Sequence, residues 1–332
     1  MQLFRKIIFY FVIVISTLVI LASLLSLIYD VSFWFTKVLD FPRLQFLIVG
    51  LLCFLTFLFV NKKWKFPSIF LNIGLLASII LQAGYILPYY FGEKKVPDST
   101  PVAVNEENTV GIMIANVLIT NNSADTFLNI VNQRDPDLLL VMEVNSWWIS
   151  QLEPLERKYS RVIKYPLDNA YGMALYSKLP LYESEVMFLK HKDVPSIHAK
   201  IALVSGRVFM FHGVHPVAPV PSGKYPDNEG EEEVALLKVG KMVVKNPLPA
   251  IVAGDFNDVS WSNTSRLFST NGKLNNVRLG RGLYNSFNAE SIFMRWPLDH
   301  YFVSQEFALV KLARMQKFGS DHFPMYAKFV LR

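Results

Sequence analysis

Long apolar segments fill the N-terminal part of the chain, and shorter apolar runs alternate with polar residues after them. Residues 7–29, 44–60 and 68–91 contain no charged side chain. The shortest segment has 17 residues, and a helix of that length, at ~1.5 Å per residue, is ~26 Å long, close to the hydrocarbon thickness of a bilayer. The pattern therefore predicts three transmembrane helices and a membrane anchor at residues 1–91.

The flanks of these segments indicate how the anchor is oriented. The first segment is longer than the apolar core of a typical signal peptide and lacks a small-residue cleavage motif, so we expect it to be retained. Arg5 and Lys6 precede it, and three lysines lie within residues 62–65. Because basic loops stay in the cytoplasm, we expect a multi-pass protein of the cytoplasmic (inner) membrane with a cytoplasmic N-terminus. Three crossings then place the rest of the chain in the periplasm or outside the cell.

The chain after the anchor alternates between strand-like and helix-like segments. Residues 92–108 are predicted to be a linker, because they include prolines and acidic residues without apolar periodicity, and residues 109–332 form the folded domain. Apolar runs predict strands at residues 110–117, 137–144, 171–177, 197–204, 208–214, 251–253 and 325–331, with a further strand after residue 300. Helices are predicted at residues 123–133, 231–244 and 261–268. An acidic run at residues 229–233 is predicted to stabilise the start of the second of these helices.

Composition separates the two parts further. The 332 residues are 52% hydrophobic and carry a net charge of +6. Seven basic and two acidic residues precede residue 92, whereas the remainder has 26 basic and 25 acidic residues. The domain is therefore not a strongly basic body built to neutralise many DNA phosphates. Cys53 is the single cysteine, so an intramolecular disulfide is excluded.

The stretch 250–258 brings polar side chains to the end of a buried strand. Asp255 and Asn257 are two positions apart, so both side chains would face the same side of an extended chain. A carboxylate and an amide that converge in this way suit a hard metal ion or a phosphate. A turn built from Asp and Asn after a strand is the simpler alternative.

Other predicted strands also end in polar residues. Glu143 follows five apolar residues, where a carboxylate is costly to bury without a partner, although a solvated strand end explains it equally well. His212 and His215 face opposite sides of a strand, so we expect only His215, at the loop end, to reach a site, and His212 to be packed or hydrogen-bonded. The set is completed by Asn116 and by two pairs, Asp299–His300 and Asp321–His322. One such pair often marks only a surface turn, but their recurrence at strand ends indicates a common site.

These motifs make the chain similar to the endonuclease/exonuclease/phosphatase superfamily, which has the DNase I-like fold. In chain order the motifs are Asn116-Val-Leu-Ile-Thr-Asn121, Val141-Met-Glu143, His215-Pro-Val-Ala-Pro219, Gly254-Asp-Phe-Asn257, Leu298-Asp-His-Tyr301 and Ser320-Asp-His322. The resemblance covers about residues 110–331, with one departure at Met142, where many members have glutamine. It implies an α/β (α+β) four-layer sandwich of two mixed β-sheets flanked by helices. The three predicted transmembrane helices ahead of it resemble a membrane-anchored bacterial branch.

The resemblance also implies a role for each residue. Metal-ligand roles fall on Glu143 as the main ligand of Mg²⁺ (or Mn²⁺), with Asn116 beside it and Asp321 contributing. Catalytic roles fall on His322 as the general base, Asp299 as its hydrogen-bond partner, Asp255 as the group that orients or activates water, and Asn257 and His215 as donors to the phosphoryl oxygens. If protonated, His215 would also assist the leaving group. His300 is expected to lie behind these residues, and no further cofactor is implied.

The function expected from these observations is metal-dependent phosphoester hydrolysis outside the cytoplasmic membrane. The substrate would be an envelope lipid head group or another phosphodiester. One alternative is a nuclease acting on extracytoplasmic nucleic acid, with a basic groove that uses Lys224, Arg278 and Arg281. A non-catalytic membrane sensor is the other. No protein partner is predicted, and four tryptophans are expected in the core or facing the membrane or a ligand: Trp147, Trp148, Trp261 and Trp296.

Overall fold

A computed structural model describes residues 2–29, 34–99, 104–224, 226 and 234–332. Three of its helices are long and apolar enough to cross a membrane. These helices are α1 (Gln2–Leu25), α3 (Arg43–Val60) and α4 (Phe66–Phe91), and a short helix α2 (Trp34–Val38) lies between the first two. All three apolar segments expected from the sequence fall on these helices, although α1 begins earlier and ends earlier than residues 7–29.

The three long helices pack against one another as a bundle with two different ends. Val12, Val19, Cys53, Phe57 and Leu75 form its apolar centre. At one end the guanidinium of Arg5 donates from Nε to the carbonyl oxygen of Val60 at 2.9 Å. The start of α1 and the end of α3 therefore lie together, next to the lysines at residues 62–65 and far from the domain that follows α4.

The other end of the bundle, nearest the folded domain, is fixed by a buried arginine. Arg43 is fully buried, and it donates to the Asp40 carboxylate at 3.0 Å, to Gln82 Oε1 at 3.1 Å and to the Ser26 carbonyl oxygen at 3.2 Å. Gln82 in turn donates to Ser23 Oγ at 2.9 Å. A buried charge is tolerable only when it is paired in this way, so the network holds the ends of the three helices in one arrangement.

The domain after the helix bundle consists of two mixed β-sheets, each with six strands among the residues described. The first sheet has the order β11-β12-β1-β2-β4-β3 and the second has the order β5-β6-β7-β8-β10-β9. The strands are β1 (Thr109–Asn116), β2 (Leu138–Met142), β3 (Arg161–Tyr165), β4 (Met173–Ser177), β5 (Leu181–Met187), β6 (Ser196–Ala202), β7 (Val208–Val214), β8 (Ala250–Asp255), β9 (Asn275–Asn276), β10 (Asp299–Val303), β11 (Phe307–Arg314) and β12 (Met325–Leu331). The pairs β1/β2 and β7/β8 are parallel and the other pairs are antiparallel.

The sheets pack face to face, and helices cover their outer faces. Successive residues of β1 point to opposite sides, as the strand period requires: Ile112 and Ile114 join the core between the sheets, while Met113 and Ala115 join the core under the helices. The outer helices are α5 (Ala124–Arg134) and α6 (Ser146–Leu152) on the first sheet and α7 (Val234–Lys245) and α8 (Asn263–Asn271) on the second. The four-layer arrangement expected from the resemblance is confirmed.

The strands that the hydrophobic pattern failed to predict are β3, β5, β9 and β11. Each lies at the edge of its sheet, and each has exposed or half-buried residues along much of its length. An edge strand faces solvent and therefore lacks the continuous apolar run by which a central strand is recognised. The predicted helix at residues 261–268 begins later, at Asn263, where the Ser262 hydroxyl accepts a hydrogen bond from the Ser265 amide. The predicted start of α7 and the acidic run at residues 229–233 lie outside the described residues.

The N-terminal part of the segment expected to be a linker packs on the domain. Val96 is buried, and the backbone of residues 97–99 exchanges hydrogen bonds with Leu309 of β11, at 2.8 Å in both directions. The carboxylate of Asp98 pairs with Arg281 at 2.6 Å. Residues 96–99 therefore connect the helix bundle to the edge of the first sheet by direct contacts.

Candidate active site

Polar residues from both sheets meet at one edge of the sandwich. Asn116 ends β1 and pairs with Met142, the last residue of β2, so that Glu143 follows directly beside it. In the second sheet Asp255 ends β8 and pairs with Asp299, the first residue of β10. The ends of two central strands of each sheet thus place three carboxylates around one point.

Backbone turns at the strand ends bring these side chains into position. Glu143 and Asn257 have φ angles of 61° and 51°, in the left-handed region that non-glycine residues seldom occupy. Gly254 has φ 147°, and a Cβ there would lie 1.9 Å from the Val214 carbonyl oxygen. Only glycine therefore fits before Asp255, and such strain is often found where a backbone holds a functional group.

His322, Asp299 and Asp255 form the most compact cluster of the site. His322 Nδ1 lies 2.8 Å from Asp299 Oδ2, which is the contact expected from the sequence, and its Nε2 lies 3.5 Å from Asp255 Oδ2. One side-chain donor atom from each residue lies within 4.8 Å of the others, and all three residues are buried. Because a carboxylate only accepts, Nδ1 carries the proton and Nε2 faces Asp255.

Asn116 links this cluster to Glu143. Its amide nitrogen donates to Glu143 Oε1 at 2.8 Å and to Asp255 Oδ2 at 3.0 Å, while its Oδ1 accepts from the Leu118 amide at 3.0 Å. The second oxygen of Glu143 accepts from the Ile119 amide at 3.2 Å. Asn116 thus presents its nitrogen, and not its oxygen, to the two carboxylates.

Burial and neighbouring groups together raise the pKa values of both Glu143 and His322. Burial raises the pKa of Glu143 to about 7, and the hydrogen bonds from Asn116 and Ile119 offset this only in part. For His322 burial disfavours the charged ring, but the carboxylates of Asp299 and Asp255 outweigh it and raise its pKa to about 10. The Asp321 carboxylate contributes to both shifts, so it lies close enough to act on both groups.

The donor set fits a hard divalent cation. Among the described residues, no Lys or Arg forms an ion pair with Glu143 or with Asp255. Asp299 Oδ1 is buried, and no described residue forms a hydrogen bond with it. Several carboxylates packed around one histidine leave negative charge that a cation with oxygen ligands would neutralise. The most compact cluster is Asp255, Asp299 and His322, whereas the ligands expected from the resemblance, Glu143, Asn116 and Asp321, lie at its side.

His215 and Asn257 flank the cluster. His215 is buried, with Nε2 3.8 Å from Asp255 Oδ2, and burial lowers its pKa to about 4 even though Asp255 opposes the shift. It is therefore neutral near pH 7, which argues against the protonated form considered for leaving-group assistance. Asn257 donates its side-chain amide to the Pro216 carbonyl oxygen at 3.0 Å, and its backbone amide donates to Asp255 Oδ1 at 2.8 Å. Because β8 ends at Asp255, Asn257 reaches the site through a turn and not through strand alternation.

The remaining histidines lie away from the cluster. His212 contacts His198, with 2.7 Å between their Nδ1 atoms, as expected for a packed histidine. His300 lies behind the site, where Ser260 and Arg278 contact its Nδ1 and its Nε2 donates to the Asp258 carbonyl oxygen at 2.8 Å.

Two of the three basic residues considered for a nucleic-acid groove are committed elsewhere. The Arg278 guanidinium is fully buried and donates to the carbonyl oxygens of Leu283 and Asp299. Arg281 pairs with Asp98. That interpretation of Arg278 and Arg281 is wrong, because both guanidinium groups support loops of this domain. Lys224 is exposed.

Three residues that sequence reasoning missed hold the site in place. Ser320 Oγ donates to the Asn116 carbonyl oxygen at 2.8 Å and accepts from the His322 amide at 3.0 Å. Ser286 Oγ accepts from the Asp299 amide at 3.1 Å, and the Phe287 ring lies 4.9 Å from the His322 ring. Ser320 belongs to a motif noted in the sequence, but residues 286 and 287 lie in a loop whose local sequence carries no such signal.

The four tryptophans divide between the first sheet's outer core and the N-terminal helical region. Trp148 is fully buried and Trp147 is partly exposed. Trp261 is buried against α4 and donates from Nε1 to the Asp40 carbonyl oxygen at 2.7 Å, and the Trp296 ring lies 5.7 Å from that of Phe41. Two of the four therefore face the N-terminal helical region.

The folded domain matches a known protein family. The model of the Endonuclease/Exonuclease/phosphatase family matches residues 113–322. No curated protein sequence matches the chain.

Solved structures resemble the domain at low sequence identity. The human Nocturnin catalytic domain with bound sulfate superposes with a TM-score of 0.55 at 17% identity, over 68% of this chain and 95% of that one. An endonuclease/exonuclease/phosphatase from Bacteroides vulgatus gives 0.55 at 18% identity, over 68% and 99%. TDP2 from D. rerio in complex with a single-strand DNA product gives 0.52 at 16% identity, over 67% and 98%.

These structures share the fold of the domain, and the family model spans the motifs from β1 to His322. The chain belongs to the Endonuclease/Exonuclease/phosphatase family, whose members hydrolyse phosphoester bonds.

Proposed function

We propose that this protein is a membrane-anchored, Mg²⁺-dependent phosphoester hydrolase that acts outside the cytoplasmic membrane on an envelope lipid head group or another phosphodiester. The observation that carries the proposal is the buried Asp255–His322–Asp299 cluster with Glu143 and Asn116 beside it. Nothing in the packing of an apolar core requires so many ionisable groups at one sheet edge. This also argues against a sensor that lacks catalytic activity.

In this proposal Glu143, Asn116 and Asp321 hold Mg²⁺, or Mn²⁺ in its place. Asn116 would hold the cation through Oδ1 after a rotation about χ2, which exchanges the positions of its amide oxygen and nitrogen. A cation bound there supplies positive charge for the phosphoryl oxygens and lowers the pKa of nearby acidic groups. Neutralisation of the carboxylates also reduces the field that holds the proton on His322.

The proton of the attacking water goes to the Asp255–His322 pair. His322 Nε2 and Asp255 Oδ2 are 3.5 Å apart, close enough for one water or hydroxyl group to contact both. Asp299 accepts from Nδ1 and thereby fixes the tautomer and orientation of the ring. Asn257 and His215 flank Asp255 and donate to the phosphoryl oxygens as negative charge develops there.

The location outside the membrane is supported by the two ends of the helix bundle. The end with Arg5 and the lysines of residues 62–65 lies opposite the end that contacts the domain. Basic residues favour the cytoplasmic side, so the domain at the opposite end would lie outside. Residues 1–91 then act as the anchor and residues 109–332 as the catalytic domain.

A nuclease remains the second candidate, because TDP2 from D. rerio has been solved with a single-strand DNA product. The near-neutral charge of the domain and the burial of Arg278 favour the lipid or small phosphodiester instead.

The test uses the full-length protein in lipid nanodiscs with Mg²⁺. Release of head group from phospholipid, cleavage of plasmid DNA and hydrolysis of bis(4-nitrophenyl) phosphate are measured in parallel. The proposal predicts Mg²⁺-dependent hydrolysis of the phospholipid or the nitrophenyl ester that is lost in His322→Ala, with little DNA cleavage. DNA cleavage lost in the same variant would establish the nuclease, and inactivity towards all three substrates by a folded, Mg²⁺-binding protein would support the sensor.

A further inference from the structure

A loop beside the candidate site exposes apolar side chains at its tip. The loop, residues 288–296, leaves the site after Phe287 and returns to it at Trp296, and the Phe287 amide donates to the Trp296 carbonyl oxygen at 2.9 Å. Ile292, Phe293 and Met294 at its tip are 79%, 85% and 48% exposed. A single exposed apolar residue is ordinary, but three in succession at one tip mark a surface that meets an apolar environment. Residues 288–296 are called the apolar loop below.

The conformation of the apolar loop is held by its own polar groups. Asn288 Oδ1 accepts from the Glu290 amide at 2.7 Å, and Ser291 Oγ accepts from the Met294 amide at 2.9 Å. These bonds satisfy backbone groups inside the loop and leave the apolar side chains pointing outward. The conformation that these hydrogen bonds stabilise therefore keeps the apolar side chains of the tip exposed.

The tip lies against the membrane anchor. Gln45, in the first turn of α3, donates from Nε2 to the Phe293 carbonyl oxygen at 2.8 Å. Ile48 and Leu52 follow Gln45 on the same face of the helix and are 50% and 59% exposed. The first of them lies only ~4.5 Å farther along the helix axis. Phe293 is therefore level with the point where the lipid-facing surface of α3 begins.

The base of the apolar loop touches the candidate site. The Phe287 ring stacks on Trp296 at 6.2 Å and contacts His322 at 4.9 Å. The backbone amide of Ala289 donates to the Asp321 carbonyl oxygen at 2.7 Å. One aromatic ring thus separates His322 from the loop that lies beside the membrane helix.

A second segment that leads away from the site is also tied to the anchor. Asn257 precedes Trp261 by four residues, which can span at most ~14 Å, and Trp261 contacts Asp40 and Tyr89 of the anchor. Two segments that lead away from the site thus contact the anchor, one through Trp296 and one through Trp261, and both tryptophans belong to one apolar cluster. Such a site faces the region where lipid head groups lie.

We propose that the apolar loop inserts into the membrane leaflet next to the domain and that this insertion holds the site at the head-group layer, so that the substrate class is a phosphoester carried by a membrane lipid. The proposal rests on the hydrolase function proposed above and specifies its substrate. Apolar side chains of interfacial segments reach ~5–10 Å into the boundary between head groups and acyl chains. With the tip at that depth, a phosphate in the head-group layer lies at the level of Phe287 and His322.

Insertion is tested by a probe that does not depend on catalysis. Cys53 is the only cysteine, so Cys53→Ala with Phe293→Cys gives one labelling site for an environment-sensitive nitrobenzoxadiazole dye. The full-length protein is placed in nanodiscs of phosphatidylethanolamine and phosphatidylglycerol, with or without doxyl-labelled lipid. The matched control is Val204→Cys, which is 72% exposed at the end of the domain away from His215.

The proposal predicts blue-shifted emission and strong quenching by doxyl lipid at position 293, and neither at position 204. Equal, water-like emission at both positions would overturn it. So would a blue shift at position 293 without doxyl quenching, because that result indicates contact with protein and not with lipid. This readout stands even if the protein hydrolyses no phosphoester, so failure of the insertion and failure of the proposed function are told apart.

A kinetic test then connects insertion to the substrate. The double variant Ile292→Ser/Phe293→Ser is predicted to lose about tenfold in kcat/KM on vesicle phospholipid, because the apolar anchoring area is removed, and less than twofold on bis(4-nitrophenyl) phosphate. Val204→Ser is the control and should match the wild type on both substrates. An equal loss on both substrates would mean that the loop only supports His322, and no loss on vesicles would mean that insertion does not serve catalysis; either result overturns the proposal.

Discussion

The His322 ring donates from Nδ1 to Asp299 Oδ2 at 2.8 Å, and both side chains are almost completely buried. Their strands belong to different sheets, because Asp299 begins β10 and His322 precedes β12. The relative position of the two sheets therefore fixes the orientation of the ring. Any change that loosens this contact is expected to affect catalysis before it affects folding.

Asp299→Asn tests this contact. The amide keeps the size of the side chain but removes the charge that helps to raise the pKa of His322. We expect kcat to fall by ~10²–10⁴-fold, the range for loss of general acid–base catalysis, and the pKa of His322 measured by NMR to fall. Asp125→Asn, on the exposed first turn of α5, is the control. Wild-type kcat in Asp299→Asn would show that the carboxylate has no part in the reaction.

Glu143→Gln separates cation binding from folding. Burial raises the pKa of Glu143 to about 7, above the ordinary value of 4.5, so the partly buried carboxylate costs stability at any pH above 4.5. Glutamine removes that cost, and we expect the free energy of unfolding in EDTA to rise by ~1 kcal/mol or more. The added stability from Mg²⁺, which for a wild-type site at a hundred times its Kd is ~2.7 kcal/mol, should disappear. Thermal unfolding with and without Mg²⁺ measures both effects, and an unchanged Mg²⁺ increment would remove Glu143 from the ligand set.

The pair His198–His212 should make the domain sensitive to acid. Burial lowers the pKa of His198 to about 4 and that of His212 to about 3, from 6.5. Below pH 6.5 the unfolded chain binds protons that the folded domain does not, so stability falls as the pH drops from 6.5 towards 4, by ~1.4 kcal/mol per histidine for each pH unit. Thermal unfolding between pH 7.5 and pH 4.5 measures this.

The variant to compare with the wild type in this pH series is His212→Asn, because asparagine keeps a polar atom near the position of Nδ1 but cannot be protonated in this pH range. Its stability should depend less steeply on pH over the same range. His322 acts with the opposite sign, because its raised pKa adds stability below pH 6.5 that is lost as the pH approaches 10. If the wild type and His212→Asn have the same acid slope, the buried pair is not its source.

Arg278→Met tests the structural interpretation of a residue that the sequence suggested for nucleic-acid binding. Its guanidinium is buried and contacts His300 and two backbone carbonyl oxygens. Removal of a buried hydrogen-bonded charge is expected to cost ~3–5 kcal/mol of folding stability, because its partners are left unsatisfied. Lys241→Met, at an exposed position of α7, is the control. A fully stable Arg278→Met protein with weakened DNA binding would restore the groove interpretation.

The fold was predictable wherever burial produces a local pattern. The central strands are apolar on both faces, so β1, β2 and β8 stand out as continuous runs, and the polar residues at their ends stand out against them. The edge strand β5 carries Glu183 and Glu185 on its exposed length and gives no such pattern. The convergence of Glu143, Asp255 and His322 followed from the motifs, since strand ends meet at one edge of a sandwich.

Other features depend on contacts between distant parts of the chain and could not be predicted. The contacts of Arg278 with His300 and of Trp261 with Asp40 join residues that no local spacing relates. The apolar loop shows neither the helical nor the strand periodicity of apolar residues. Its position beside the membrane helix is evident only from the contact with Gln45, which lies 248 positions away from Phe293. Local sequence therefore showed which residues are chemically unusual, while packing determined which of them act together.

The most direct test of the central claim is hydrolysis of bis(4-nitrophenyl) phosphate by the full-length protein in nanodiscs, with Mg²⁺ or with EDTA. Wild type, Asp255→Asn, His322→Ala and the control Asp125→Asn are compared after their folding has been checked by circular dichroism. We predict release of nitrophenol by the wild type and the control only, and only with Mg²⁺. Equal release by folded Asp255→Asn and His322→Ala, or release that persists in EDTA, would contradict the assignment of this cluster as a metal-dependent phosphoester hydrolase site.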